Sequence, residues 1–343
     1  MVRGRGVIGF KRVLLILMTL VFVITAAGCK DNGEEEGVTT DFLEDTVVTV
    51  GTARVSLAEW YLYSLPKVSA ATLMYGKDIW KYRISDDEGT MADAVRKDIL
   101  DQIIYVKIVC SRAEQLGIGL NEDELGDIET ETLNYMNTLT DKQKSDYGIT
   151  EEVVRSVYCD NLLAMKVYEN LTLNIDTNIP DEEVRHMVLE YICANKTFEN
   201  GDNGTERFPD EELAGIGAEI DSLYQAAVSD PEIVKLSQLE NEKYAAIEMI
   251  ADYAGLKEKF PADLADRVFN MREGEIIGPF DTEDAFFVFD CVKRNDEEST
   301  NKAKVEIIER RQRELFEQEY EKWEEEIITK VNYSVWDKIS IVE

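Results

Sequence analysis

Residues 94–125 read AVRKDILDQIIYVKIVCSRAEQLGIGLNEDEL, and this stretch decides what kind of chain it is. Between 91 and 116, Val95, Ile99, Ile103, Val106, Cys110 and Ala113 recur at spacings of three and four, the period of a single buried helical stripe. Gly117 supplies the residue that ends such a helix, and Asn121 with Glu124 three residues on caps the next one. Thr150 opens a further helix running to about residue 171, so 91–171 predicts an all-helical unit. Pro180 and Asp181 mark its far boundary.

Upstream, DTVVTVG at 45–51 reads as a short strand, and Ser56-Leu57-Ala58-Glu59 fits a capping box that starts a helix. Downstream, 184–194 reads as a strand and 195–210 as a polar loop. Helical stretches near 211–228 and 240–253 follow, then a turn at 275–279 and a strand at 285–293, an α+β pattern. Finally, 303–331 carries Ile308, Phe316, Tyr320, Trp323, Ile327 and Val331 on one stripe, which predicts a helix on the order of 40 Å long. Tyr333, Val335, Ile339 and Ile341 then alternate like a strand. The apolar stripe of the last helix cannot stay in water, and the helices of 91–171 carry matching stripes that need a partner.

The first residues read as a leader. Arg3, Arg5, Lys11 and Arg12 with no acid precede an almost wholly apolar run at 13–27, then Gly28 and Cys29. That run is short of the roughly 20 residues that span a bilayer. Ile24-Thr25-Ala26-Ala27-Gly28-Cys29 resembles the bacterial lipobox, which implies a signal peptide at 1–28 and a lipid on Cys29. Residues 29–45, with Glu34-Glu35-Glu36 between glycines, read as an acidic tether. In the whole chain 37 basic residues face 70 acidic ones, a net charge of −33, and loss of the four leader cations makes it −37. Nucleic acid is excluded as a partner, because a phosphate backbone needs clustered Lys and Arg. An anionic membrane surface would repel such a body, which gives a lipid on Cys29 its purpose. The chain has one His, which argues against imidazole-rich metal sites, and the acidic runs lack the spacing of a calcium loop. No metal or cofactor is expected.

Taken in order, these segments resemble the SurA/PrsA group of extracytoplasmic foldases. VVTVGTARVSLAEW at 47–60 resembles the group's opening strand and capped helix, and 94–125 its long helix and following turn. Residues 176–185 resemble the start of a parvulin-type peptidyl-prolyl isomerase domain, and REGEIIGPFDTEDAFFVFDCV at 272–292 its ending. The resemblance implies a mostly α chain with an α+β insert. A helical chaperone domain at 46–178 is completed by a returning helix and strand at 299–343, with a parvulin-like domain at 179–298 between them.

An active parvulin resembles a cleft with two hydrogen-bonded His residues on neighbouring strands beside an apolar proline pocket. Here the resemblance puts Tyr191 where the first imidazole belongs and Phe286 where the second does. The single His186 falls five residues before Tyr191 and would need another strand register. If Tyr191 and Phe286 share a sheet face, Cys193 lies on it and Cys291 on the other. Cys110, Cys159, Cys193 and Cys291 read as buried thiols, although an exported protein can pair cysteines. The expectation is a membrane-anchored extracytoplasmic chaperone that binds unfolded exported polypeptides, its isomerase activity weak or lost. The alternatives are an active isomerase and a solute-binding lipoprotein. The latter would show alternating βαβ units in two lobes, against which the long helices argue.

Overall fold

The computed structural model describes residues 42–85, 89–199, 204–229 and 244–341. The chain is mostly helical with an α+β part and divides into two compact units, Met1–Asn174 with Arg313–Glu343, and Ile175–Gln312. Among the described residues no helix is long and apolar enough to cross a membrane.

The first unit opens with the hairpin β1 (Thr46–Val50) and β2 (Ala53–Ser56), whose inward valines Val47, Val48, Val50 and Val55 are buried. The Ser56 hydroxyl accepts from the Glu59 N–H at 3.2 Å and starts α1 (Leu57–Tyr75). A 3-10 turn and the small hairpin β3 (Arg83–Ser85) and β4 (Gly89–Thr90) lead to α2 (Met91–Ala113), capped by a reciprocal Thr90–Asp93 box. Past Ala113 the chain makes one more turn. Ile118 N–H donates to the Ala113 carbonyl and Gly117 N–H to that of Glu114, with Gly117 at φ +67°. This is the left-handed stop that the sequence places at Gly117. Asn121 and Glu124 form the expected reciprocal cap of α3 (Glu122–Thr138). α4 (Asp141–Tyr147) and α5 (Glu151–Thr172) follow, the latter capped by Thr150.

The second unit begins with the single turn α6 (Asp181–Val184) and the nine-residue strand β5 (Met187–Asn195). A small hairpin, β6 (Thr197–Glu199) and β7 (Thr205–Arg207), precedes α7 (Asp210–Ser229). Next come β8 (Ala245–Ala251), α8 (Tyr253–Lys259), α9 (Ala262–Phe269), β9 (Ile276–Asp281), β10 (Ala285–Lys293) and α10 (Glu297–Glu326). The sheet order is β8-β5-β10-β9, all antiparallel. Residues 245–251, expected within a helix, form β8, because AAIEMIA alternates and its backbone completes the ladder of β5. The turn expected at 275–279 runs on into β9.

Arg185 ties the second unit together. Its buried guanidinium donates to the carbonyls of Phe269 and Arg294, both at 2.8 Å, and lies 3.9 Å over the Phe269 ring. Replacing it with Met should destabilise this unit by about 3 kcal/mol, since charge-assisted bonds are lost and two carbonyls are left bare. Hydrogen exchange in β5 and β10 should quicken while tryptophan emission stays unchanged; equal exchange in both proteins would contradict this.

The boundary between the units falls inside α10, at 312/313. Beyond it Phe316 and Trp323 are buried in the first unit's core with Ile99, Ile103, Val106, Ala164 and Val167, and Tyr320 and Ile327 pack against them. Tyr105 meets Phe316 and Tyr320 at ring distances of 6.1 and 4.7 Å, and Tyr168 meets Phe316 at 5.1 Å. Ile308, on the same sequence stripe, lies on the other side of the boundary and outside this core. β11 (Thr329–Val331) pairs antiparallel with β1, giving the sheet order β11-β1-β2. The strand expected from Tyr333 onward is instead a helical turn, α11 (Tyr333–Trp336). Asn332 holds the chain there, its amide donating to the Thr46 carbonyl at 2.8 Å and its backbone to Val47.

Candidate functional site

The alternation of β5 and β10 decides which side chains can act together. Their register pairs Phe286 with Ala194, Phe287 with Cys193, Val288 with Ile192 and Phe289 with Tyr191. Successive residues of a strand point to opposite faces. Tyr191, Phe287, Phe289 and Cys291 therefore share one core with Leu256 of α8, Leu264 and Val268 of α9, and Phe260 between the two helices. Ile192, Ala194 and Val288 share the other with Ile216 and Ile220 of α7, and Phe286 packs there. Tyr191 and Phe286 thus do not share a face. The residue of β10 beside Tyr191 is Phe287, one position on, and Cys291 stands on Tyr191's side of the sheet rather than the opposite one.

The Tyr191 face is filled by rings. Tyr191 stacks on Phe289 at 5.3 Å, meets Phe260 edge-on at 5.5 Å and lies 6.4 Å from Phe287. Phe260 in turn meets Phe287 and Phe289 edge-on at 5.4 and 5.1 Å. Tyr191 is 4% exposed, Phe287 9% and Phe289 0%, so little of this wall is open. The Tyr191 hydroxyl has no hydrogen-bond partner among the described residues, and burial, then Cys193, raises its pKa. Cys193 donates to the Asn195 side chain at 3.4 Å, and burial pushes its thiol up. Burial, then Asp290, pushes the Cys291 thiol up to about 11. No thiolate nucleophile results. Cys110, Cys159, Cys193 and Cys291 are all free, and only Cys291 is fully buried.

On the other face, Lys196 sits 4.6 Å over the Phe286 ring while it binds Asp281 and the Thr282 carbonyl. Gly217 of α7 lets the helix approach, since a Cβ there would stand 3.4 Å from the same ring. His186 precedes β5 and is used by the backbone around it. Its N–H donates to the Thr300 hydroxyl at 3.0 Å, its carbonyl accepts from Asp296, and its ring Nδ1 lies 3.0 Å from the Val184 carbonyl. Five residues of extended chain separate it from Tyr191 by about 17 Å. Strand parity in AFFVFD cannot be read from the sequence, because both faces are apolar; only the pairing with β5 distinguishes Phe286 from Phe287.

No family model matches the sequence, and no curated protein does. Solved structures do match. One, from work on PEB4 and Cj1289, two structurally related SurA-like chaperones of Campylobacter jejuni, is 13% identical with a TM-score of 0.29, covering 84% of this chain and 98% of that one. The foldase protein PrsA of Streptococcus pneumoniae is 12% identical with a TM-score of 0.22, over 71% and 88% of the two chains. The peptidylprolyl isomerase PrsA of Bacillus cereus is 11% identical with a TM-score of 0.27, over 85% and 96%.

Proposed function

We propose that this chain is an extracytoplasmic chaperone that binds unfolded exported polypeptides and has weak or no isomerase activity. The observation that carries the binding role is an apolar group at the end of α1. Leu73, Met74 and Tyr75 are 90, 70 and 66% exposed, and Tyr82 and Ile84 beyond the 3-10 turn are exposed too. The Trp80 indole, donating to the Thr72 hydroxyl at 3.0 Å, holds the two stretches together. Apolar side chains clustered on so acidic a body mark a surface for apolar segments of other chains. The proposed division of labour keeps the boundaries read from the sequence, 46–178 with 299–343 as the chaperone part and 179–298 as the parvulin-like part. Anchoring through a lipid on Cys29 belongs to the same proposal; Cys29, the leader and most of the tether lie outside the described residues. Mass spectrometry of the membrane fraction tests it, and an unmodified Cys29 would overturn it.

Isomerisation requires lowering an amide rotation barrier of about 18–20 kcal/mol. Phe260, Phe287 and Phe289 offer no proton to a twisted amide, the Tyr191 phenol is buried, and the four rings occupy the space beside the strands themselves. The expected result is suppression of client aggregation at near-stoichiometric chaperone, with no change in a proline-limited refolding phase of tens to hundreds of seconds. Leu73→Ser, Met74→Ser and Tyr75→Ser together should markedly weaken the suppression. Acceleration of refolding at catalytic concentration, lost in His186→Ala, would show the chain to be an isomerase. Tyr191→His with Phe287→His is the variant pair in which activity is to be sought, because those positions share a face.

A further inference from the structure

Among the described strands, β8 presents the longest open edge. It pairs with β5 along its whole length without a bulge, Met187 opposite Ala251 through Cys193 opposite Ala245, and no described strand pairs with its other side. Every second residue of such a strand directs its N–H and C=O outward. The outer strand at the far side of the sheet, β9, contains Pro279, which has no N–H to offer, and α7 packs on it. The outer strands of the first unit, β2 and β11, are four and three residues long. Edges are ordinarily defended by lysine, proline or a bulge, and the AAIEMIA of β8 has none of them.

The side chains of β8 state what would fit. Ile247 and Met249 pack partly buried on the Tyr191 face, while Glu248 and Ile250 are exposed on the other. Glu248 stands directly opposite Glu190, and Glu190 directly opposite Asp290. Three carboxylates therefore cross the sheet in one row, and burial, then the Glu190 charge, holds the Asp290 carboxyl above its usual range. The row ends at the open edge, on Glu248.

We propose that β8 is the docking edge for an extended segment of unfolded polypeptide, which adds to the sheet as a fifth strand. Its apolar side chains continue the Ile247 and Met249 face, and a Lys or Arg stands opposite Glu248. Main-chain bonds supply attachment regardless of sequence, and the acidic row supplies a preference for alternating apolar and basic segments. The inference deepens the chaperone reading and rests on it.

The test uses the full-length protein and a labelled nine-residue peptide that alternates Val with Thr around a central Lys. Hydrogen exchange at 245–251 should slow when the peptide binds. Methylating alternate peptide nitrogens should weaken binding by about tenfold, since at least two edge bonds are lost. Replacing the central Lys with Glu should weaken it about threefold, and Glu248→Lys should invert that preference. Equal binding of the methylated peptide, an unchanged preference in Glu248→Lys, or β8 exchange in the free protein as slow as that of β5 would overturn the proposal. The last result would mean that the edge is already covered in the free protein. If aggregation suppression persists when these fail, only the edge proposal falls; if suppression is absent too, the chaperone reading falls with it.

Discussion

A chain ended after Gln312 should fail to fold its first unit. The cut removes Phe316, Trp323, Ile339 and Ile341, all buried, together with β11, which covers one side of β1. Each large apolar side chain contributes roughly 1.5–3 kcal/mol on burial. Four of them rival the whole stability of a typical domain, about 5–15 kcal/mol. The readout is clean because all four tryptophans, Trp60, Trp80, Trp323 and Trp336, belong to this unit. Trp60 and Trp80 remain after truncation and are 0% and 3% exposed in the intact protein. Their emission should shift to the red and lose its cooperative melt. An unchanged spectrum and melting temperature would refute the packing of α10 on α2 and α5 as the source of this unit's stability.

The second large effect is expected at Lys107. This lysine enters the core of the first unit between two acids, 2.8 Å from Glu59 and 2.6 Å from Asp160. Cys110 donates to the Asp160 carbonyl close by, and Asn161 donates to the Tyr63 hydroxyl. Burial pushes the ammonium down, but Glu59 and Asp160 more than offset this and leave its pKa raised. Burial raises the Glu59 carboxyl, and Lys107 opposes that only in part. Lys107→Met leaves two carboxylates facing each other without a cation and should cost about 3–5 kcal/mol near neutral pH. The sign of the pH dependence follows from Glu59. A carboxyl whose folded pKa lies above its unfolded value favours the folded state most when protonated. The variant should therefore be most stable in acid and lose that stability as pH rises through the raised Glu59 range. Urea midpoints of the variant measured across pH decide it; a midpoint that climbs with pH over that range would sink the account.

How much of this was legible in the sequence depended on whether local chemistry or distant pairing set the outcome. The α2 stripe, its stop at Gly117 and the Asn121–Glu124 cap are settled within a few residues, and all three appear as read. Residues 245–251 are different. Ala, Glu and Met favour helix in isolation, but β5 offers a ladder partner, and a sheet contact outweighs a preference of a few tenths of a kcal/mol per residue. The same cause moved the terminal strand. β1 recruits Thr329–Val331, and the Asn332 bond to Thr46 turns the chain before Tyr333. The unit boundary inside α10 leaves no mark in the sequence because a helix continues through it unchanged. At the candidate site, Tyr191 was readable as a non-imidazole on β5, but which ring of β10 shares its face was not. Phe286 and Phe287 are alike in chemistry and differ only in parity, which the pairing of β10 alone fixes.

Division of the first unit between the two ends of the chain also sets an order of events during synthesis. Residues 175–312 form one contiguous stretch, so all of the second unit's contacts are available once Gln312 has emerged. β1 and α2 emerge much earlier, yet their partners Val331, Phe316 and Trp323 arrive only at the end. Until then the valines of β1 and the stripe of α2 have only part of their cover, from β2 and α5, and closing a loop of more than two hundred residues is the last and slowest step. The chain thus passes through its own longest exposure just before release, when its N-terminal apolar stretches are themselves the kind of surface a chaperone binds.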